Sequence, residues 1–335
     1  MASGVHGRTM RALTMKLGSD RASVAVRPPL WVDRLVDAAG RPAGSGDDIA
    51  LEVAAGARFT VVSAVVDQRL VRDAAGLREA TVRAYGLIRN VLAGSNTPHP
   101  VRFWNHISDI TKPAGAAVGD DVNAVDAAEG PDRDCNRYMA FNAGRFAAMQ
   151  EWYGGPGRFD ASLPTASGVG YDGQGLIVHC LAARQAGRAV ANPRQVQPHR
   201  YSVRYGPRPP CFSRATILTE DVPSPLVLVG GTASIRGEES IYDQDLAGQF
   251  QETLANLSSL LTAAGAVPGG ESLAALREVR VYHRDESDAA AVGAMVRSSF
   301  ASVSRPQILR AGLCRAELLV EIEGVGEWAG AGRGQ

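Results

Sequence analysis

The run Leu313-Cys314-Arg315-Ala316-Glu317-Leu318-Leu319-Val320-Glu321-Ile322-Glu323-Gly324-Val325 gathers the groups best able to do chemistry. Its Leu-Leu-Val-x-Ile stripe reads as a strand, and Glu321 and Glu323, two residues apart, share one face of it. A carboxyl inside an apolar strand is costly unless it is paired, protonated or used. Cys314 lies seven residues upstream of Glu321, within reach of the same pocket if the strand starts near Arg315. An acid beside a soft, weakly acidic thiol points to proton transfer. The plainer reading makes Glu321 half of an ion pair and Cys314 a small buried hydrophobe.

A second set of candidates is cationic. Arg137, Arg145, Arg200, Arg204, Arg208 and Arg214 cluster in the middle of the chain, and planar guanidinium groups suit bidentate capture of carboxylates. Most such residues are solvated surface charges. Arg145 stands out because it shares a helix face with Tyr138 and Asn142. Arg214 stands out because Cys211-Phe212-Ser213-Arg214-Ala215-Thr216 leads a charge into an apolar strand, where it needs a partner or a ligand. Tyr201 and Tyr205 offer phenols near the arginines, with core packing the alternative. Gly230-Gly231-Thr232-Ala233-Ser234 follows a buried strand; its small residues let a ligand approach the backbone, and Thr232 and Ser234 can donate to an oxyanion. No Lys follows and GxGxxG is absent, so it is not a phosphate loop. The six histidines and four cysteines show no metal-ligand spacing, and no cofactor or metal is expected.

These residues need elements to hold them. At 335 residues the chain suits two domains. Arg58–Val66 reads as a strand, Leu77–Leu92 as a helix and Val101–Ile107 as a strand. Pro225–Gly231, the amphipathic helix Asp243–Ala264, the strand Glu278–His283, the helix Asp288–Phe300 and a strand over Cys314–Val325 repeat that grammar. The pattern suggests an internal duplication. Tyr138–Tyr153 reads as a helix between the halves, and Asp172-Gly173 as the turn of a hairpin joining Thr165–Gly168 to Leu176–Leu181. Val190–Pro209 reads as an ordered linker. Domains are expected at 21–205 and 206–328, with tails at 1–20 and 329–335 and an inserted loop at 112–134. Zero net charge points away from nucleic acid and anionic membranes, and no apolar run reaches the roughly 18 residues of a membrane span. Met1–Asp20 is basic but lacks the apolar core of a signal peptide, so a cytoplasmic protein is expected.

Several longer stretches carry a resemblance. Phe103-Trp104-Asn105, Arg137–Arg145, Asn192–Val196, Arg204–Ala215, Gly231–Ile235 and Cys314–Val325 together resemble the chorismatases, in order, from about Pro100 to Val325. The C-terminal half also looks like the RidA/YjgF family. The loop at 112–134 and the first 50 residues depart from the pattern. The resemblance implies an α+β fold of two RidA/YjgF (chorismate mutase-like) halves, with mixed sheets and helices packed on one face. A monomer is expected, because one chain supplies both halves. The implied substrate is chorismate, a dianion with an enolpyruvyl ether, for which Glu321 would serve as general acid. Arg145 and Arg214 would hold the carboxylates, with Arg137, Tyr201, Tyr205, Gly231 and Thr232 completing the binding set. Hydrolytic members release pyruvate and a dihydroxycyclohexadiene acid; another branch releases pyruvate and 3-hydroxybenzoate. Cys314, where hydrolytic members have an Ala-like residue, and Gly231 are similar to the second branch, in which Cys314 would steer the product. The rivals are the hydrolytic chorismatase, a RidA-like imine deaminase and a non-catalytic metabolite-binding protein.

Overall fold

The structure is a computed structural model that describes residues 26–36, 40–45, 48–115, 135–222, 224–266 and 272–330. The expected tail at 1–20, residues 116–134 of the expected loop and residues 331–335 lie outside the described residues.

The first half holds the short helix α1 (Val32–Leu35) and strands β1 (Arg41–Ser45), β2 (Ile49–Ala55) and β3 (Phe59–Val66). Helix α2 (Ala74–Ala93), strand β4 (His99–Ser108), helix α3 (Arg137–Tyr153) and the single turn α4 (Phe159–Ser162) follow. Strands β5 (Thr165–Tyr171) and β6 (Leu176–Ala183) complete it. The second half contributes β7 (Arg188–Val190), β8 (Ala215–Leu218), β9 (Leu226–Ala233) and the small ribbon β10 (Ile235–Arg236) and β11 (Glu239–Ser240). Helix α5 (Leu246–Ala264), strand β12 (Leu276–His283), helix α6 (Ala289–Ser299) and strands β13 (Gln307–Arg310) and β14 (Val320–Glu327) close it.

One sheet runs β1-β2-β3-β6-β4-β5 and the other β7-β8-β9-β14-β12-β13 when read from its far edge. These are one topology used twice. In each, a three-strand meander precedes a helix, two parallel strands joined through a helix follow, and the last strand inserts beside the meander. Even the irregularity repeats, between Pro100 and Arg102 in β4 and between Leu276 and Glu278 in β12. The α+β class and the duplication expected from the sequence are what the fold shows.

Alternation along the strands builds four layers, because successive side chains point to opposite faces. Val62, Ala64 and Val66 of β3 pack with Leu77 and Ile88 of α2 and Phe141 of α3. Val229 of β9 and Ile322 of β14 pack with Phe250 and Leu257 of α5 and Val296 of α6. The opposite faces meet each other, Phe59, Val61 and Trp104 against Leu218, Leu228 and Val325. The helices therefore lie outside and the two sheets back onto one another.

Three expectations need correction. Strands β5 and β6 form no hairpin, since β4 pairs with both and lies between them. The turn instead carries the chain past the end of β4, where Ser108 N–H donates to Gly175 C=O at 3.2 Å. The last strand begins at Val320 rather than near Arg315. Leu319 N–H donates to the Gln249 side chain at 2.8 Å instead of to a neighbouring strand, so Cys314 lies in the preceding loop. The second sheet also starts before the boundary expected at 205, because β7 pairs with β8 through Arg188–Ile217, Ala189–Thr216 and Val190–Ala215.

Candidate active site

A cavity of about 510 Å³ opens where β5 of the first half meets β9 and β14 of the second. That is within the roughly 300–1,000 Å³ range of small-molecule sites. Glu321, Cys314, Arg145, Arg214, Tyr201, Tyr205 and Gly231 all line it. Residues separated by as much as 176 positions in the chain are brought together by the docking of two sheets.

Glu321 is set by strand geometry. It pairs across β14 with Ala233 on one side and Tyr282 on the other, and its side chain enters the layer between the sheets, 4% exposed. Glu323 shares that face and is fully engaged. Its carboxylate accepts from Arg102 Nη2 at 2.8 Å, Trp104 Nε1 at 3.0 Å, Tyr282 OH at 3.3 Å and Ser167 Oγ. The two acids are thereby differentiated: Glu323 is engaged by four donors and Glu321 is the spare one. Burial, and next the charge of Glu323, push the Glu321 carboxyl up to about 8, while Arg102 and Arg214 pull it down. At neutral pH it holds a proton it can give.

Gly231 explains itself at this point. A Cβ there would fall 2.0 Å from Glu321 Oε1 and 3.2 Å from Ser167 Oγ, so the acid occupies the space a side chain would take. Gly231 N–H donates to Ser167 Oγ at 2.9 Å, which ties β9 to β5 beside the acid. Thr232 does not join the cavity. The pleat turns it to the other face, where its hydroxyl donates to Gly230 C=O at 3.0 Å. Ser234 likewise donates to Ile241 C=O, at 2.8 Å.

The cationic wall comes from both halves. Asn136 caps α3, its side chain accepting from Met139 N–H at 2.9 Å, and the helix then presents Tyr138, Asn142 and Arg145 along one face. Arg145 donates to Asn142 Oδ1 at 2.7 Å, and its Nε has no partner. Arg214 donates to the Tyr201 hydroxyl, and its Nε is also without a partner. Both guanidinium groups lie over the Phe212 ring, at 5.3 and 5.2 Å. Neither forms an ion pair with a carboxylate among the described residues, although Arg145 is 1% and Arg214 4% exposed. Two buried cations with unused donors make a receptor for an anion. At the rim, Arg315 stacks on Tyr205 at 3.8 Å.

Arg137 is elsewhere. Its Nε donates to Ser108 C=O at 2.8 Å and its Nη1 to Val71 C=O at 2.8 Å. Its Nη2 meets Ser108 Oγ at 3.2 Å, so the guanidinium pins the start of α3 to the end of β4 and to the segment before α2. Cys314 is partly open to the cavity, yet the surrounding protein pushes its thiol up to about 12, with the Glu321 charge adding to the effect of burial. It is a neutral thiol and not a nucleophile.

The family model described as "Chorismatase FkbO/Hyg5-like, N-terminal" matches residues 38–182, starting well before the motifs that begin near Pro100. A 3-hydroxybenzoate synthase from Streptomyces hygroscopicus is 35% identical over 255 residues, 74% of this chain and 69% of that protein. The chain belongs to the chorismatase family. A chorismatase from Streptomyces rapamycinicus is 32% identical over 251 residues, covering 73% of this chain and 69% of the relative. The crystal structure of a chorismatase superposes with a TM-score of 0.67 at 26% identity, over 85% of this chain and 80% of the other. In this chorismatase, sequence reasoning missed Tyr138, Ser167 and Phe212 as cavity residues and Arg102 as the partner of Glu323. Tyr138 was legible, since it shares the helix face of Arg145; the other three are placed only by the meeting of the sheets.

Proposed function

We propose that this chain cleaves the enolpyruvyl ether of chorismate to 3-hydroxybenzoate and pyruvate. The observation that carries it is Glu321, buried with its carboxyl pushed up to about 8, in a cavity walled by two guanidinium groups that pair with no carboxylate among the described residues. Chorismate brings two carboxylates and an ether that departs once its enol carbon is protonated. Arg145 and Arg214 hold the carboxylates, with Tyr201 fixing Arg214 and Tyr205 at the rim. Glu321 donates its proton to the enolpyruvyl methylene, giving an oxocarbenium. The C4 hydroxyl oxygen then attacks C3, the bond from C3 to the ether oxygen breaks, and pyruvate leaves. Opening of that epoxide at C4 with loss of the C3 proton returns the proton count and leaves the phenol oxygen on C3. No water is consumed. Cys314, a neutral thiol beside Glu321, fills the space a water would need, which favours this outcome over hydrolysis to the dihydroxydiene acid. A cytoplasmic monomer fits the reading, because both sides of the cavity come from one chain and Cys180, Cys211 and Cys314 are free thiols. Among the described residues no helix is long and apolar enough to cross a membrane.

Incubation of the purified protein with chorismate tests the reading, with products separated and identified. The expected result is 3-hydroxybenzoate and pyruvate in equal amounts, with pyruvate release abolished in Glu321→Gln. Dihydroxydiene acid as the main product would shift the assignment to the hydrolytic branch, and absence of pyruvate would end it.

A further inference from the structure

A fold that uses one topology twice, back to back, makes two related clefts. The active cavity is bounded by β5 of one half and β9 and β14 of the other. Exchange of the halves turns these into β13, β3 and β6, and there a second cavity lies, of about 750 Å³. Aligning the two sheets on their repeated irregularity gives the correspondence residue by residue. Tyr282 pairs with Glu321 as His106 pairs with Ile177, and Arg280 pairs with Glu323 as Trp104 pairs with His179. Ser167 corresponds in the same way to Gln307. The acid of the first cavity is therefore Ile177 in the second, so the second cleft has kept its shape and lost its chemistry.

It has not lost its polarity. Arg280 lines it at 5% exposure, with Nε donating to Gln307 Oε1 at 3.0 Å and Nη1 to Arg27 C=O at 3.1 Å. No carboxylate among the described residues forms an ion pair with Arg280, and its cross-strand neighbour Glu323 is already taken by Arg102. The acids at the rim are also engaged, Asp67 with Arg69 and Asp172 with Arg310. His106, 3% exposed, lines the same cavity, and its Nε2 has no hydrogen-bond partner among the described residues. Val65, Val169, Tyr171, Ile177 and Leu309 supply the apolar walls. A buried surplus cation, an unused imidazole nitrogen and an apolar slot together match one class of ligand.

We propose that this second cavity is a non-catalytic binding site for a small aromatic carboxylate, its carboxylate on Arg280 and its ring between β3, β6 and β13. The site does not depend on the catalytic reading, and its test can be read separately. Calorimetric titration of the full chain with 3-hydroxybenzoate should show two bound molecules, one lost in Arg214→Ala and the other in Arg280→Met. Leu309→Asp provides a variant safe for folding, since Leu309 is 42% exposed on an edge strand. It places an anion at the second cavity's mouth and should weaken that event by about tenfold or more while chorismate cleavage is unchanged. A single bound molecule in the unaltered chain, or two that Leu309→Asp and Arg280→Met both leave intact, would overturn the proposal. Two-site binding in a chain that fails to cleave chorismate would sink the catalytic reading and leave this site standing.

Discussion

Glu321 keeps its proton because burial disfavours the carboxylate and because the charge of Glu323, the partner of Arg102 and Trp104, adds to that effect. The shift is upward, so the protonated form that the proposed mechanism needs is present at neutral pH and is lost as pH rises through about 8. The kcat/KM for chorismate should be flat near pH 7 and fall about tenfold per unit on the alkaline side. In Glu323→Gln the repulsion is gone, and the alkaline limb should move to lower pH; an unmoved limb would detach Glu323 from the acid. Folding carries the same signature with a defined sign. Between the ordinary 4.5 and about 8 the folded chain binds a proton that the unfolded chain has released, so stability falls across that window. Glu321→Gln should remove that slope, which approaches about 1.4 kcal/mol per pH unit for one proton, as chemical denaturation at several pH values would show. Cys314 makes a different claim. If, as proposed, this neutral thiol acts by occupying space, Cys314→Ala should still release pyruvate but shift product from 3-hydroxybenzoate toward the dihydroxydiene acid. A mere packing role predicts a loss of about 1 kcal/mol and an unchanged product ratio.

Helix α3 carries Tyr138 and Arg145 into the cavity, and its close approach to α2 depends on one residue. A Cβ at Gly144 would stand 2.4 Å from Arg78 C=O and 2.8 Å from Thr81 Cβ of α2, atoms that cannot swing aside. Gly144→Ala must therefore push the helices apart, at a cost of about 1–3 kcal/mol. Because Arg145 moves with the helix, KM for chorismate should rise more than kcat falls. Thermal melts combined with steady-state kinetics separate the two effects, and an unchanged KM in a destabilised variant would take Arg145 out of substrate binding.

The active cavity belongs to neither half alone, and the halves are joined by a buried ion pair. Arg102 and Glu323, each with a side chain 2% exposed, meet across the inter-sheet layer. Around them Ser167 links β5 to Gly231, and Gly170 N–H donates to Gly312 C=O at 2.7 Å. Removing one member of such a pair strands the other charge, at about 3–5 kcal/mol. Arg102→Met should therefore lower stability by that order and reduce cleavage as well, because Glu323 then sits uncompensated beside Glu321. Denaturant unfolding followed by two probes, tryptophan fluorescence and far-ultraviolet dichroism, checks this; a variant as stable as the parent would show that the pair does not join the halves.

The sequence by itself determined what depends on neighbours along the chain. The two-residue period placed Glu321 and Glu323 on one face, and the helical period placed Tyr138, Asn142 and Arg145 together; the repeated strand and helix grammar disclosed the duplication. Long motifs carried the family resemblance. What only the tertiary structure decided depends on contacts between residues far apart in the chain. Arg102, 221 positions from Glu323, engages that glutamate and leaves Glu321 facing the cavity. Arg137 and Arg145 lie on the same helix, yet Arg137 meets the carbonyls of Ser108 and Val71 while Arg145 faces open space. Strands β5 and β6 are neighbours in the chain, yet each pairs with β4 and not with the other, because a sheet chooses partners by packing both faces and not by adjacency in the chain. Local periodicity says which way a side chain points; only the meeting of two sheets says what it finds there.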